Sequence, residues 1–359
     1  MKKSKRFLSL ALVLALAMGL TLSACGDSSG KPSAAPTDPP PAQSQQGGGE
    51  TKAPDPGPGT SDWKPDKPIN IINYVASGGG MDVATREFAK IAAKYTDATF
   101  VVDNRTGAGG LIAMDYVLDQ PADGYNIFAG TISNIAYIVS NEEDTEKYVW
   151  GFEWIDNIMA DPMCIMVRSD DDITLEELIA DSKAQNGGQI WVGPSTGGIK
   201  HVIGLKFWEA LGVEATWVPF ESGPLALTAL LGGQGVASVG NPSDVEGRDL
   251  KNLVIAGEKL PNYPDVPNFA ELGYPELDKV SMWRGFAVKD GTPPEMIAWF
   301  QDLCQKVTED PEWISFFEAK SIAVKNDLTE DFEAQIKTDI QDNMDILKSL
   351  DMISADYNG

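Results

Sequence analysis

Histidine and cysteine are scarce in this sequence of 359 residues, which contains one histidine, His201, and three cysteines. Zinc sites in proteins are built mainly from histidine, cysteine and carboxylate ligands, and the sequence has no Cys-x-x-Cys pair. The composition therefore disfavours a His-rich zinc site. We expect neither a metal nor another cofactor.

Signatures of common catalytic and phosphate-binding sites are also weak. A Ser-His-Asp triad would have to use His201, and the candidate nucleophile Ser195 lies too close to it, in the same loop and helix start. The glycine-rich segment Asn104–Gly110 lacks Gly-Lys-Ser/Thr and is not a P-loop. We therefore expect a protein that is not an enzyme, with a surface hydrolase as the alternative.

Basic residues are outnumbered, with 28 lysines and arginines against 53 aspartates and glutamates, which gives a net charge of −25. Nucleic-acid binding requires a basic patch that neutralises phosphates, so this balance argues against a nucleic-acid partner. It also means that an anion site would depend on local donors, because the overall field repels anions.

The amino terminus has the features of a bacterial lipoprotein. Residues 1–24 combine a basic start, a short apolar core and small residues before Cys25, as a signal peptide does, and we expect Cys25 to be lipidated. An uncleaved membrane anchor is the alternative, although the apolar core is short for a membrane span. Residues 25–64, rich in Gly, Pro, Ser and Gln, predict a disordered tether.

After Cys25, the only cysteines are Cys164 and Cys304. A disulfide between them is compatible with a compartment outside the cytoplasm, and two separate buried thiols are the other interpretation. The sequence leaves both open.

From Pro65 onwards, strand-like segments alternate with helix-like segments. This alternation is typical of an α/β fold with mostly parallel sheets, whose ligands lie at the carboxyl ends of the strands. Three predicted loops fall there: Ser77–Asp82, Asn104–Gly110 and Thr131–Asn134. The sequence also predicts a helix over Leu111–Leu118 and a later helix that starts with Thr174 and Glu177 as a capping box.

The pattern starts again at Cys164, and we expect the strand Met282–Val288 to return to the first part. The sequence thus predicts two lobes with a ligand cleft between them, 65–162 plus 285–359 and 163–284.

Two glycine-rich loops, Ser77–Asp82 and Ser195–His201, connect strands to helices in the two predicted lobes. Glycine lets the backbone approach a ligand, and unpaired N–H groups at a helix start attract an anion such as a carboxylate. A cleft lined by both loops is the arrangement of a closing binding protein. Asp82 would either receive an amino or hydroxyl group of the ligand or cap its helix and brace the loop, and His201 would either touch the ligand or support its helix start. The structural role is favoured for both.

The same segments match a known family in order. Ser77-Gly-Gly-Gly-Met-Asp82, followed by Arg86, resembles the family's first loop, Pro-x-Gly-Gly-x-x-Asp-x-x-Ala-Arg. Other matching segments are Val102–Gly110, Ala122–Tyr125, Gly193–His201, Val218–Phe220, Gly223–Gln234, Tyr263–Pro267 and Gly291–Pro294. From about residue 66 to 350 the sequence is similar to the Bug-type substrate-binding receptors of tripartite tricarboxylate transporters.

The resemblance implies a two-lobe periplasmic-binding-protein fold, similar to type II, that captures a small organic anion such as a di- or tricarboxylate. It implies delivery to a permease with a large and a small integral-membrane subunit. The receptor would be a monomer outside the cytoplasm, at the outer face of the cell membrane or in the periplasm, held by lipidated Cys25. The ligand-binding residues that it implies are Ser77, Gly78, Gly79, Gly80, Asp82, Thr131, Ser133, Asn134, Ser195, Thr196, Gly197, Gly198, His201 and Asn241.

Two alternatives remain within the receptor class. The protein could present its ligand to a sensor protein, because sensing and transport use the same closed-lobe signal. It could also bind a solute that is not a carboxylate. The sequence does not identify the ligand.

Overall fold

The structure, a computed structural model, describes residues 63–359. The predicted signal peptide, the predicted lipidation site Cys25 and the predicted tether up to residue 62 lie outside the described residues. Within 63–359, no helix combines the length and the apolar character needed to cross a lipid bilayer.

Strands and helices alternate along the chain much as the sequence predicts. The strands are β1 Ile69–Asn73, β2 Phe100–Asn104, β3 Asn126–Thr131, β4 Phe152–Pro162, β5 Cys164–Arg168, β6 Gln189–Pro194, β7 Ala215–Phe220, β8 Ala237–Gly240, β9 Leu250–Ile255, β10 Ser281–Lys289 and β11 Ala323–Leu328. The helices are α1 Gly80–Ala92, α2 Leu111–Leu118, α3 Ile132–Ser140, α4 Thr145–Tyr148, α5 Leu175–Gln185, α6 Ile199–Leu211, α7 Gly223–Leu231, α8 Pro294–Thr308, α9 Pro311–Glu318 and α10 Thr329–Ser349.

The strands form two mixed sheets, ordered β11-β4-β10-β3-β1-β2 and β7-β6-β8-β5-β9. The predicted parallel strands are present: β1 pairs in parallel with β2 and β3, and β6 pairs in parallel with β7 and β8. The antiparallel strands β10, β4 and β11 extend the first sheet beyond β3, and β5 and β9 extend the second beyond β8. The sheets are therefore less parallel than the sequence pattern predicts.

The first sheet is buried on both faces because successive side chains along each strand point to opposite sides. On β3, Phe128 packs with α2, α3 and α10, whereas its neighbours Ile127 and Ala129 pack with α1, α8 and α9. The near-continuous apolar sequence of these strands follows from this two-sided burial.

Helix ends follow local sequence signals. The predicted capping box of α5 is confirmed: Thr174 Oγ1 accepts a hydrogen bond from the Glu177 N–H, and Glu177 Oε2 accepts one from the Thr174 N–H. Helix α6 ends at Gly212, whose φ of 63° lies in the left-handed region that glycine adopts without strain.

The chain passes between the two sheets at two adjacent points. Strand β4 belongs to the first sheet and is followed after one residue, Met163, by β5 in the second sheet. The return is strand β10, which pairs with β4 from Ser281 opposite Pro162. As predicted, the segment Met282–Val288 returns to the first sheet, and it does so a few residues before the predicted lobe boundary at 284. The lobe division itself stays a prediction.

The two cysteines are free and buried. Cys164 lies in the apolar cluster of the second sheet, and Cys304 on α8 lies in a cluster of the first sheet. Of the two interpretations left open by the sequence, the structure has the two separate thiols.

Candidate functional site

The first glycine loop leads directly into α1. Its N-cap residue is Gly79, which offers no side-chain hydrogen bond to the helix start. Ser77, Gly78 and Gly80 are exposed, and Gly78 has a φ of 83° that favours glycine. The first N–H groups of α1 are therefore uncapped by a side chain and lie at the positive end of the helix dipole.

Asp82 supports this loop and is buried. Its carboxylate accepts hydrogen bonds from the Gly78 N–H at 2.8 Å, from Asn104 Nδ2 at 2.9 Å and from Arg86 Nε at 3.0 Å. Burial alone would raise the pKa of Asp82, but the hydrogen bonds from Arg86, Gly78 and Asn104 lower it to about 2. Asp82 is the third residue of α1 and not its N-cap, and its oxygens bind the protein's own donors.

The predicted loop Thr131–Asn134 is wrong as a loop, because α3 begins at Ile132. Thr131 is the N-cap: its Oγ1 accepts from the Ser133 N–H, and its own N–H donates to Asn134 Oδ1 at 2.9 Å. Asn134 is fully buried, and its Nδ2 donates to the Gly109 carbonyl at 2.7 Å. This reciprocal capping box, Thr-x-x-Asn, replaces the predicted loop.

Tyr74, the residue after β1, contacts the start of α3 through its side chain. Its hydroxyl lies 2.7 Å from Thr131 Oγ1. Burial raises the pKa of Tyr74, while the hydrogen bond with Thr131, the neighbouring Ser133 and the positive charge of Arg284 act in the opposite direction. Tyr74, Thr131, Ser133 and Arg284 therefore lie close together.

The second glycine loop is built in a similar way to the first. Helix α6 has Gly198 as its N-cap without a side-chain hydrogen bond, and Ser195 has a strained φ of 35°. Ser195 and Thr196 are exposed. A Cβ on Gly197 would lie 3.2 Å from Met352 Cε and 3.8 Å from Ser140 Cβ, so this loop faces the carboxyl end of α3 and the chain terminus.

His201 is buried and holds this loop. Its Nδ1 accepts a hydrogen bond from the Gly197 N–H at 3.0 Å, and its ring packs on Trp217 at a centroid distance of 4.9 Å. Burial lowers the pKa of His201 to about 4. Gly193-Pro-Ser195-Thr-Gly197 does match the Gly-x-Ser-x-Gly pattern of hydrolases. However, His201 Nδ1 binds the backbone of Gly197 and no Ser195–His201 hydrogen bond is present among the described residues, so the arrangement is not a triad.

A cleft of about 570 Å³ is lined by residues from both predicted lobes. Gly80 of α1 and the segment 317–322 contribute from the first, and the segment 241–248 after β8 contributes from the second. Val83 of α1, Asp161 and Pro162 of β4, and Arg284 of β10 complete the lining. Two predicted site residues, Gly80 and Asn241, thus share one cleft.

Arg284 and Asp161 form an ion pair in this cleft, with side chains that are 14% and 8% exposed. Arg284 Nη1 donates to Asp161 Oδ1 at 3.2 Å, and Nη2 donates to Oδ2. Burial raises the pKa of Asp161, and the charges of Arg284 and Lys200 act against that rise. Asn241 Nδ2 lies 3.5 Å from Asp161 Oδ2 and so reaches the same pair.

Arg284 also joins the cleft to the start of α3. It pairs with Thr131 across the β10–β3 ladder, and directly paired residues project to the same face of a sheet. Sequence reasoning missed Tyr74, Asp161 and Arg284. A signal for Arg284 was present, since it is the one charged residue within the apolar segment Met282–Val288.

Within residues 63–359, no group of three or more His, Cys, Asp or Glu side chains is arranged to hold a metal ion.

The chain was compared with known proteins. Residues 84–352 match the family described as tripartite tricarboxylate transporter family receptor. The chain belongs to this family. Protein BugT of Bordetella pertussis is 27% identical over 248 residues, which cover 67% of this chain and 76% of BugT. A protein encoded in the gbd 5′ region of Cupriavidus necator is 26% identical over 262 residues, covering 70% and 78%.

Solved receptor structures share the fold. A TctC solute-binding protein from Polaromonas superposes with a TM-score of 0.70 at 24% identity and covers 79% of this chain and 99% of its own. MatC from Rhodopseudomonas palustris, solved with bound malate, gives a TM-score of 0.62 at 21% identity and covers 79% and 100%. An R. palustris protein solved with adipate gives 0.63 at 21% identity and covers 80% and 98%. The predicted α/β, two-lobe periplasmic-binding-protein fold is thereby confirmed, and the family consists of solute receptors and not enzymes.

Proposed function

We propose that this receptor captures a small organic acid in the cleft between its lobes and delivers it to the membrane permease of a tripartite tricarboxylate transporter. The observation that carries the proposal is the pair of glycine N-caps, Gly79 of α1 and Gly198 of α6, neither of which caps its helix with a side chain. Backbone N–H groups left without a capping side chain are suited to a carboxylate.

The ligand site in this proposal combines predicted and newly recognised residues. The exposed glycines of the first loop and the exposed Ser195 and Thr196 of the second would donate backbone or hydroxyl hydrogen bonds. Asp82 and His201 would hold these two loops and Asn134 the start of α3, because their side chains already bind the protein's own backbone. Malate and adipate, which occupy two structures with the same fold, are acids of the size that we propose.

The proposed setting is outside the cytoplasm. A receptor of this family works with integral-membrane partners, and we propose that a lipid on Cys25 keeps it near them. We further propose that it acts as a monomer with two lobes, 65–162 plus 285–359 and 163–284, with the boundary at 284/285 moved to 280/281 so that β10, Ser281–Lys289, belongs wholly to the first lobe.

The first test is a thermal-shift screen of the purified protein against small carboxylic acids, with neutral and cationic compounds as controls. A ligand that binds only the folded state stabilises it by about 2.7 kcal/mol at a hundred times its Kd, so we expect a rise in Tm of about 5 °C for a cognate acid. A rise caused only by a neutral or cationic compound would overturn the carboxylate assignment.

A further inference from the structure

Arg284 is a largely buried cation in an acidic protein, and it lines the cleft beside the start of a helix. Its guanidinium lies against the start of α1, where a Cβ added to Gly80 would meet Nη2 at 3.0 Å and Cζ at 3.3 Å. The amino terminus of a helix carries a partial positive charge, so a cation beside it is unfavourable unless an anion is present. Asp82 does not compensate here, because its carboxylate binds Gly78, Arg86 and Asn104.

Asp161 compensates Arg284 only in part. It accepts hydrogen bonds from Nη1 and Nη2, and Nη1 also donates to Met159 Sδ at 3.3 Å, which leaves the Nε–H and one N–H of Nη2 without an acceptor among the described residues. Arginine can bind planar anions through two parallel N–H donors. Nη2 of Arg284 lies beside the start of α1, and a carboxylate placed there would receive hydrogen bonds from the guanidinium and from the first N–H groups of the helix.

Acceptors lie beside these donors. Asp161 lines the cleft next to Arg284, and Asp244 lines it from the segment after β8. Asp244 binds Lys200 Nζ at 3.1 Å and the Asn241 N–H at 3.0 Å through Oδ2, and its Oδ1 has no hydrogen-bond donor among the described residues. A ligand whose carboxylate binds Arg284 would thus place its neighbouring carbon close to carboxylate oxygens.

We propose that Arg284 and Asp161 are specificity-determining residues of the cleft and select a carboxylic acid that carries a hydroxyl or ammonium group on the carbon next to the carboxylate. The carboxylate binds Arg284 and the start of α1, and the neighbouring O–H or N–H donates to Asp161. This inference rests on the proposed function, since it specifies the acid that the receptor captures.

The experiment measures binding by isothermal titration calorimetry with two matched pairs, malate with succinate and lactate with propionate. Each pair differs by one hydroxyl group next to a carboxylate. A hydrogen bond to a charged acceptor contributes about 1.5–3 kcal/mol, so the hydroxy acid should bind about tenfold or more tightly. Asp161→Asn should lower the ratio within each pair, because a neutral amide oxygen is a weaker acceptor than a carboxylate.

The variant Arg284→Gln tests whether the guanidinium of Arg284 binds the ligand. We expect it to weaken the binding of the preferred acid by about tenfold to a hundredfold, because it removes a charged donor from the ligand. The matched control is Arg168→Gln, which removes a partly buried arginine that pairs with Asp171 and the carbonyl groups of Leu230 and Gly235, away from this cleft. Circular dichroism would verify that each variant is folded.

Gly80→Ala tests the same contact without removing a charge, which matters if Arg284→Gln does not fold. The added methyl group would press against the guanidinium and weaken binding. Its control is Gly223→Ala, because Gly223 is also the first residue of a helix and a Cβ there meets no atom within 4 Å.

The outcomes separate the two proposals. If no carboxylic acid binds the wild-type protein, the proposed function falls and the inference falls with it. If acids bind but members of each pair bind equally, or if Arg284→Gln and Gly80→Ala bind like their controls, the inference is wrong and the receptor function stands.

Discussion

His201 shows how one buried side chain can hold a loop through its protonation state. Because its Nδ1 accepts the Gly197 N–H, the ring must be neutral with its proton on Nε2. Burial lowers the pKa of His201 to about 4, below the ordinary value of 6.5. Its contribution to stability is therefore fully present above pH 6.5 and is lost as the pH falls from 6.5 towards 4.

We predict that between pH 7 and pH 5 the unfolding free energy of the wild type falls by about 2 kcal/mol through His201 alone. His201→Asn, whose amide oxygen can still accept the Gly197 N–H, should lack this part of the decline. Urea titrations of both proteins at several pH values measure the difference. Parallel pH profiles would show that His201 has the same pKa in the folded and the unfolded protein, and would contradict the prediction.

The roles of some site residues could be predicted from the sequence, and the roles of others could not. The bracing role of Asp82 and the helix-start role of His201 agree with their contacts, because a polar residue at a glycine-loop helix start commonly binds the loop's own N–H groups. The N-cap role considered for Asp82 is wrong, because the N-cap of α1 is Gly79. Asp161 and Arg284 are 123 residues apart, and only the pairing of β4 with β10 brings them together. No local pattern contains that information.

At the scale of elements, the start of α3 is a rigid junction of three segments. Asn134 joins the Thr131 N–H to the Gly109 carbonyl, and a Cβ on Gly110 would lie 2.2 Å from Asn134 Nδ2. The glycines after β2 therefore make room for a helix cap as well as a turn.

Asn134→Ala should lower the unfolding free energy by about 2–4 kcal/mol, because it removes a cap and leaves buried N–H and carbonyl groups without partners. The control is Asn141→Ala at the other end of α3, where the side chain is exposed and binds only Tyr137 and Ser140 nearby, and we expect a loss below about 1 kcal/mol. Equal losses, measured by chemical denaturation, would contradict the bracing role.

The missed elements have identifiable causes. Strand β4 contains Asp156 and Asn157 at its centre, and these polar residues interrupt the apolar run that marks a buried strand. Strand β11 is a partly exposed edge strand with the sequence Ala-Val-Lys-Asn-Asp-Leu, which carries little strand signal. By contrast, α2 has the predicted bounds, because glycines precede it and a turn follows.

At the scale of the molecule, the chain passes between the two sheets at two adjacent points, and the elements on either side also contact each other away from these points. Helix α6, beyond the crossing, contacts α10 through an ion pair between Lys206 Nζ and Asp342 Oδ2 at 2.8 Å. Val202 of α6 lies in the apolar cluster of the first sheet. Short crossings allow rotation of the lobes as rigid bodies, and contacts of this kind would form as they close.

We predict that the radius of gyration measured by small-angle X-ray scattering decreases when the protein is saturated with the acid that gives the largest thermal shift. Closure buries surface of both lobes against the ligand and so makes the particle more compact. A panel acid that gives no thermal shift serves as the control. An unchanged scattering curve at saturation would contradict closure.

The position of Arg284 also bears on the speed of capture. The surface of an acidic protein repels an approaching anion, and salt screens that repulsion, so the association rate should increase with ionic strength. Arg284 is largely shielded from solvent, and its attraction for a bound acid is screened much less. In the site that we propose, encounter and residence time are therefore governed by different charges: the many carboxylates outside set how fast an acid arrives, and the guanidinium of Arg284 sets how long it stays.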